Sequence, residues 1–131
     1  MIVDDDPDDR FFFSLGVKDI DPQWECREAD NGVDALEKLR NADRLPDFVF
    51  LDLNMYLMDG RECLAEIKKD DRLKKIPVII YSTSDYQQDV DLARKLGACY
   101  YLLKTSDIFK LGEEINKAMA ACGEDIAFDA Q

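Results

Sequence analysis

Five short apolar runs, rich in β-branched or aromatic side chains, recur along this chain with helical patterns between them, and that alternation limits the fold more than any other feature. Phe48-Val49-Phe50-Leu51 and Pro77-Val78-Ile79-Ile80-Tyr81 are bounded by turn or charged residues and read as strands buried on both faces. Cys99-Tyr100-Tyr101-Leu102-Leu103 and the opening Met1-Ile2-Val3 have the same character, and Trp24 to Ala29 alternates in the manner of an edge strand. Between the strands, helical spacing aligns Val33, Leu36 and Leu39; Leu64 and Ile67; Val90, Ala93 and Leu96; and Ile108, Leu111, Ile115 and Met119. A first helix is predicted from about Pro7 through Phe11, Phe12 and Phe13 to Gly16. Asn31-Gly32 and Ser106 suit helix starts, and Gly97 suits a helix end. Strict strand–helix alternation implies an α/β fold, a doubly wound parallel sheet with helices on both faces.

A chain of 131 residues provides one core of ordinary size. One domain is expected over 1–122, followed by a polar tail over 123–131. The opening strand is short enough that the native chain is open to starting before Met1. The formal net charge of -12 repels phosphate-rich surfaces, which argues against direct nucleic-acid or anionic-lipid binding. No apolar run approaches membrane-spanning length, so the expectation is a cytoplasmic protein without a membrane segment. Cys26, Cys63, Cys99 and Cys122 are widely spaced, form no CxxC and lie among apolar residues, so free buried thiols are expected. The chain has no histidine, which removes Ser-His-Asp and Cys-His chemistry and leaves carboxylates as the conspicuous reactive groups.

In a doubly wound sheet, functional residues gather beyond the carboxyl ends of the strands. There the sequence places Asp4, Asp5 and Asp6 after the first strand, Asp52 after the third, Ser82 and Thr83 at the fourth, and Lys104 after the fifth. Carboxylates from adjacent strands repel one another unless a cation intervenes, and hard oxygen ligands are what magnesium prefers. Such a site presents one aspartate as nucleophile toward a phosphoryl group, with the metal and a lysine neutralising charge on the transferring oxygens. Ser82 can hydrogen-bond a phosphoryl oxygen and so report its presence. Asp8 and Asp9 read as a solvated helix start favoured by the helix dipole, and Tyr101, taken alone, reads as core packing.

Val3-Asp4-Asp5-Asp6, Leu51-Asp52-Leu53-Asn54-Met55, Met58-Asp59-Gly60 and Leu103-Lys104 together resemble the receiver domain of bacterial two-component response regulators, over nearly the whole chain. The likeness is to stand-alone, chemotaxis-regulator-like receivers, and Arg61 to Ser84 resembles small receivers paired with phytochrome-like or hybrid sensor kinases. The resemblance implies a flavodoxin-like five-stranded sheet in the order 2-1-3-4-5. It implies Asp52 as phosphoacceptor, Asp5 as direct magnesium ligand, Asp4 as a mainly water-mediated one, and the Asn54 backbone carbonyl as another. Lys104 would contact the phosphoryl group, Ser82 would be the switch hydroxyl and Tyr101 the switch aromatic.

A sensor histidine kinase or histidine phosphotransfer protein would donate to Asp52 in a magnesium-dependent step. The protein would promote this transfer and its own slow dephosphorylation without being an enzyme on external substrates. Output would pass through the surface of the fourth helix, fifth strand and fifth helix to a downstream protein, a homodimer or a relay. The competing reading is a non-phosphorylated pseudo-receiver that binds partners constitutively; a metal-dependent phosphatase or phosphomutase is disfavoured because no substrate-binding cap is visible. Two positions depart from the family, which commonly has proline where this chain has Tyr56 and Thr105. Lys104-Thr105 is left open between trans and strained cis, and Tyr56 between a pocket cover or partner contact and an ordinary exposed aromatic.

Overall fold

The computed structural model describes residues 1–123. The elements are β1 (Ile2–Val3), α1 (Pro7–Ile20), β2 (Glu28–Ala29), α2 (Gly32–Asn41), β3 (Val49–Leu51), α3 (Gly60–Lys69), β4 (Val78–Ser82), α4 (Gln87–Leu96), β5 (Tyr100–Leu103) and α5 (Ile108–Cys122). All strand pairs are parallel, in the order β2-β1-β3-β4-β5. This is the flavodoxin-like order that the motifs implied.

Alternation along the strands divides the core in two. Val49, Leu51, Val78 and Ile80 face α2, α3 and α4, where they meet Leu36, Leu39, Leu64, Ile67 and Ala93. Ile2, Phe50, Ile79 and Tyr81 face α1 and α5, where they meet Phe13, Val17, Leu111, Ile115 and Ala118. Phe13 anchors that second layer, with ring centroids 4.7 Å from Phe50 and 5.3 Å from Tyr81. No helix among the described residues is long and apolar enough to cross a membrane.

Helix boundaries follow local chemistry. Asp6, Asn31, Asp59 and Asp107 each accept a first-turn backbone N–H, satisfying donors that have no intrahelical partner. Gly97 ends α4 at φ 107°, a left-handed conformation that glycine adopts without a Cβ penalty.

Several expectations need correction. Helix α1 continues past Gly16 to Ile20, because Gly16 lies against Leu111 and Ile115 where the helix needs closeness to α5 and not an end. Strand β2 spans only Glu28–Ala29, not Trp24 to Ala29, since β1 offers just two residues for pairing. The cap of α5 is Asp107, not Ser106. Val33 is 47% exposed and off the core face, whose first turn is filled by Gly32 and Ala35. All described peptide bonds are trans, Lys104-Thr105 included. The tail expected over 123–131 lies outside the described residues except for Gly123.

The cysteine expectation fails for one pair. Cys99 and Cys122 form a disulfide, whereas Cys26 and Cys63 are free. A helix that follows a strand and packs back on the sheet returns the chain toward that strand's start, which brings the last residue of α5 beside the residue before β5. The separation of 23 residues and the lack of a CxxC hid this closeness.

Two predictions follow from the packing. Under denaturing conditions alkylation should block two thiols in the unreduced protein and four after reduction, and reduction should lower stability by about 3 kcal/mol, as loop closure of this length suggests. Four reactive thiols without reduction would contradict the pairing. A Cβ at Gly60 would lie 2.1 Å from the Asp52 carbonyl oxygen and 2.7 Å from Leu53 Cα. Gly60→Ala should therefore cost roughly 2–4 kcal/mol in denaturant unfolding, and a neutral substitution would contradict this close approach.

Candidate functional site

Parallel register sets the site. Val3 pairs with Leu51, Leu51 with Ile80, and Ser82 with Leu103, so Asp4, Asp52, Ser82 and Lys104 emerge together along one rim. The Asp4 N–H donates to the Ala29 carbonyl and the Asp52 N–H to the Val3 carbonyl, which fixes both residues where the ladders end. Gly60 N–H donates to the Leu53 carbonyl and closes the loop after Asp52.

Asp4 and Asp52 are buried, Asp5 is exposed, and carboxylate oxygens of all three lie within 4.8 Å of one another. Lys104 Nζ donates to Asp4 Oδ2 at 2.8 Å and Asp9 Oδ2 at 2.9 Å, and reaches Asp52 Oδ2 at 3.5 Å. It also lies 5.4 Å from the Tyr81 ring centroid, a favourable place for a cation. Burial pushes Asp52 up to about 6; Lys104 opposes that rise and Asp4 adds to it. Burial alone would lower Lys104, but its hydrogen bonds to Asp4 and Asp9 and the charges of Asp52 and Asp4 outweigh it, so the ammonium is held above its usual range. The carboxylates thus outnumber the ammonium at the rim, and hard, anionic oxygens in this arrangement fit a divalent cation.

The remaining predicted residues take different places. Ser82 is fully buried, and its Oγ accepts from the Ser84 N–H at 3.1 Å. The half-buried Tyr101 packs against the α2–α3–α4 core, and its hydroxyl donates to the Ser84 carbonyl at 2.9 Å. Asn54 is exposed, with its N–H only 3.5 Å from Asp52 Oδ1, a marginal bond. Thr83 is exposed as well.

Two contacts were not foreseen. Asp9 had been read as solvated, yet it binds Lys104; a helix start holding both Asp8 and Asp9 does not reveal which of them turns inward. Tyr56 has a 76% exposed side chain, while its backbone N–H donates to Asp5 Oδ2 at 3.2 Å. A proline here would have no N–H to give, so this tie between Asp5 and the loop depends on Tyr56 not being proline. Leu57 next to it has φ 64°, uncommon for a residue with a Cβ.

This fold and rim are those of a receiver domain, and the chain belongs to the response regulator receiver domain family, whose profile matches residues 1–116. Among relatives, it is 42% identical over 73 residues to the response regulator Rcp1 of Synechocystis, covering 53% of this chain and 50% of that one. The chain spans about half the length of this relative. The crystal structure of the phosphorylated cyanobacterial phytochrome response regulator RcpA aligns with TM-score 0.79 and 28% identity, over 99% of this chain and 93% of that one. The manganese-bound form of Rcp1 aligns with TM-score 0.70 and 28% identity, over 88% and 87% of the two chains.

Asp52 gains protons more readily folded than unfolded, so its ionisation opposes folding. That penalty is absent below its ordinary value of 3.8, grows as pH rises toward about 6 and is complete above it. Without divalent cations at neutral pH, Asp52→Asn should therefore be more stable than wild type by about 2 kcal/mol, with the gap closing by pH 4. Paired unfolding curves at the two pH values check this; a destabilised variant at neutral pH would contradict it.

Proposed function

We propose that Asp52 accepts a phosphoryl group from a phosphohistidine on a sensor kinase or phosphotransfer protein, and that the acyl phosphate changes how this domain binds a downstream partner. The observation that carries this reading is the convergence of three carboxylates and one ammonium at the sheet rim. The histidine must come from the partner because this chain has none. In the transfer, an Asp52 carboxylate oxygen forms the new O–P bond, the N–P bond to the donor imidazole breaks, and the imidazole leaves and takes up a proton.

Asp4, Asp5 and Asp52, with the Asn54 backbone carbonyl, would hold magnesium; the manganese-bound Rcp1 relative supports a divalent cation in such a domain. When bound, magnesium supplies positive charge beside the phosphoryl oxygens and relieves the carboxylate repulsion. Lys104 would shift from Asp9 and Asp4 toward the phosphoryl oxygens, a short movement given its 3.5 Å approach to Asp52. Ser82 would donate its hydroxyl proton to one of those oxygens. Tyr101 would follow, because Ser82 and Tyr101 both bond to Ser84. Residues 1–122 would form the receiver unit, and docking or dimerisation through α4, β5 and α5 would carry the output from a cytoplasmic setting. Loss of the acyl phosphate by slow self-promoted hydrolysis would reset it.

Incubation with a small acyl phosphate donor tests the reading. Wild type should take up a hydroxylamine-labile phosphoryl group only with magnesium, Asp52→Ala should take up none, and Asp5→Ala should label about tenfold more slowly or worse. Full labelling of Asp52→Ala would refute the acceptor assignment. An unlabelled wild type beside a labelled control receiver would favour the constitutive pseudo-receiver reading.

A further inference from the structure

We infer that Arg61, Asp89 and Ser84 form a clasp between α3 and α4 that positions the Ser82 hydroxyl and resists its movement toward a phosphoryl group on Asp52; the inference rests on the phosphoacceptor reading above. Arg61 and Asp89 are positioning residues acting through Ser84.

The need for the clasp arises at the start of α4. Its cap residue, Tyr86, makes no side-chain capping bond. Ser84 takes over: its Oγ accepts from the Tyr86 N–H at 3.4 Å and donates to Asp89 Oδ2, in the first turn, at 2.5 Å. The other Asp89 oxygen accepts from Arg61 Nη2 at 3.0 Å. Arg61 directly follows Gly60, the glycine packed on the Asp52 carbonyl, so the far end of the clasp is rooted in the acceptor loop. The hydrogen bonds from Ser84 and then Arg61 hold the Asp89 carboxyl below its usual range, which keeps the pair charged.

The backbone of Ser84 carries the effect inward. Its N–H binds Ser82 Oγ, and its carbonyl accepts from the Tyr101 hydroxyl. Ser84 is therefore held from four sides, by Ser82, Tyr101, Tyr86 and Asp89. Moving Ser82 toward Asp52 pulls on Ser84 and strains its bond to Asp89, whose position Arg61 fixes. Interactions made in the resting arrangement and loosened in the phosphorylated one oppose phosphorylation by their difference. Weakening the clasp should thus favour the phosphorylated arrangement, even though neither Arg61 nor Asp89 touches the phosphoryl position.

The test is the affinity of the full chain, with magnesium, for beryllofluoride, a phosphoryl mimic that binds without covalent transfer. Arg61→Gln and Asp89→Asn should each tighten binding roughly three- to tenfold, the double variant should tighten it no further than the stronger single one, and the effect should vanish in a Ser82→Ala background. Arg61→Lys, which keeps the charge but loses the fork, should give an intermediate shift. Unchanged or weaker binding in the variants, with wild type binding normally, would overturn the clasp while leaving the phosphoacceptor reading intact. A lower melting temperature with unmoved affinity would also overturn it, since that marks a purely structural role. A wild type that fails to bind the mimic beside a binding control would overturn both.

Discussion

The ammonium of Lys104, lodged among the carboxylates of Asp4, Asp9 and Asp52, is the interaction on which the functional end of this molecule depends. A chain with a formal net charge of -12 concentrates acidic groups at the end of a buried sheet, where desolvation raises the cost of each charge. One half-buried lysine offsets part of that cost. Arg10 helps from the side, with Nη1 donating to the Asp4 carbonyl at 2.7 Å and its guanidinium near Glu28 and Asp30. The remaining excess of negative charge makes the rim receptive to a metal and, through the metal, to phosphate.

The sheet supplies the rigidity this arrangement needs. Phe13, Phe50 and Tyr81 lock one face and Leu39, Leu64 and Ile67 the other, so the ends of β1, β3 and β4 hold Asp4, Asp52 and Ser82 in fixed register. The loops above that platform have more freedom. Asp5 is exposed and tied to the Tyr56 N–H, and Ser84 is suspended between the buried Ser82 and the exposed start of α4. The fold places the reactive groups at the strand ends and the adjustable contacts on loops, where small rearrangements cost less.

What the sequence made legible tracks how local the cause is. The strands and the rim residues could be read because buried strands leave unbroken apolar runs, and the acidic and basic residues fall immediately after them; the strand order came only with the resemblance to receiver domains. Asn31 and Gly97 were legible as helix boundaries for the same reason, since each acts within its own turn. Asp9 was not, because its role depends on the rotation of α1 relative to a lysine 95 residues away. The Cys99–Cys122 bond was hidden for a similar reason: it depends on the return path of α5, not on spacing. Tyr56 was noticed as a departure, but its consequence lies in a backbone N–H, which no side-chain pattern reports.

The central claim, that the carboxylate of Asp52 is the group that takes the phosphoryl, is tested most directly by trapping the bond it would form. Borohydride reduces an aspartyl phosphate to homoserine, and peptide mass mapping locates the converted residue. After phosphotransfer from a histidine kinase with magnesium present, conversion is predicted at position 52 and at none of Asp4, Asp5 or Asp9, with no conversion when magnesium is omitted. Conversion at one of those neighbours in place of position 52 would contradict the account.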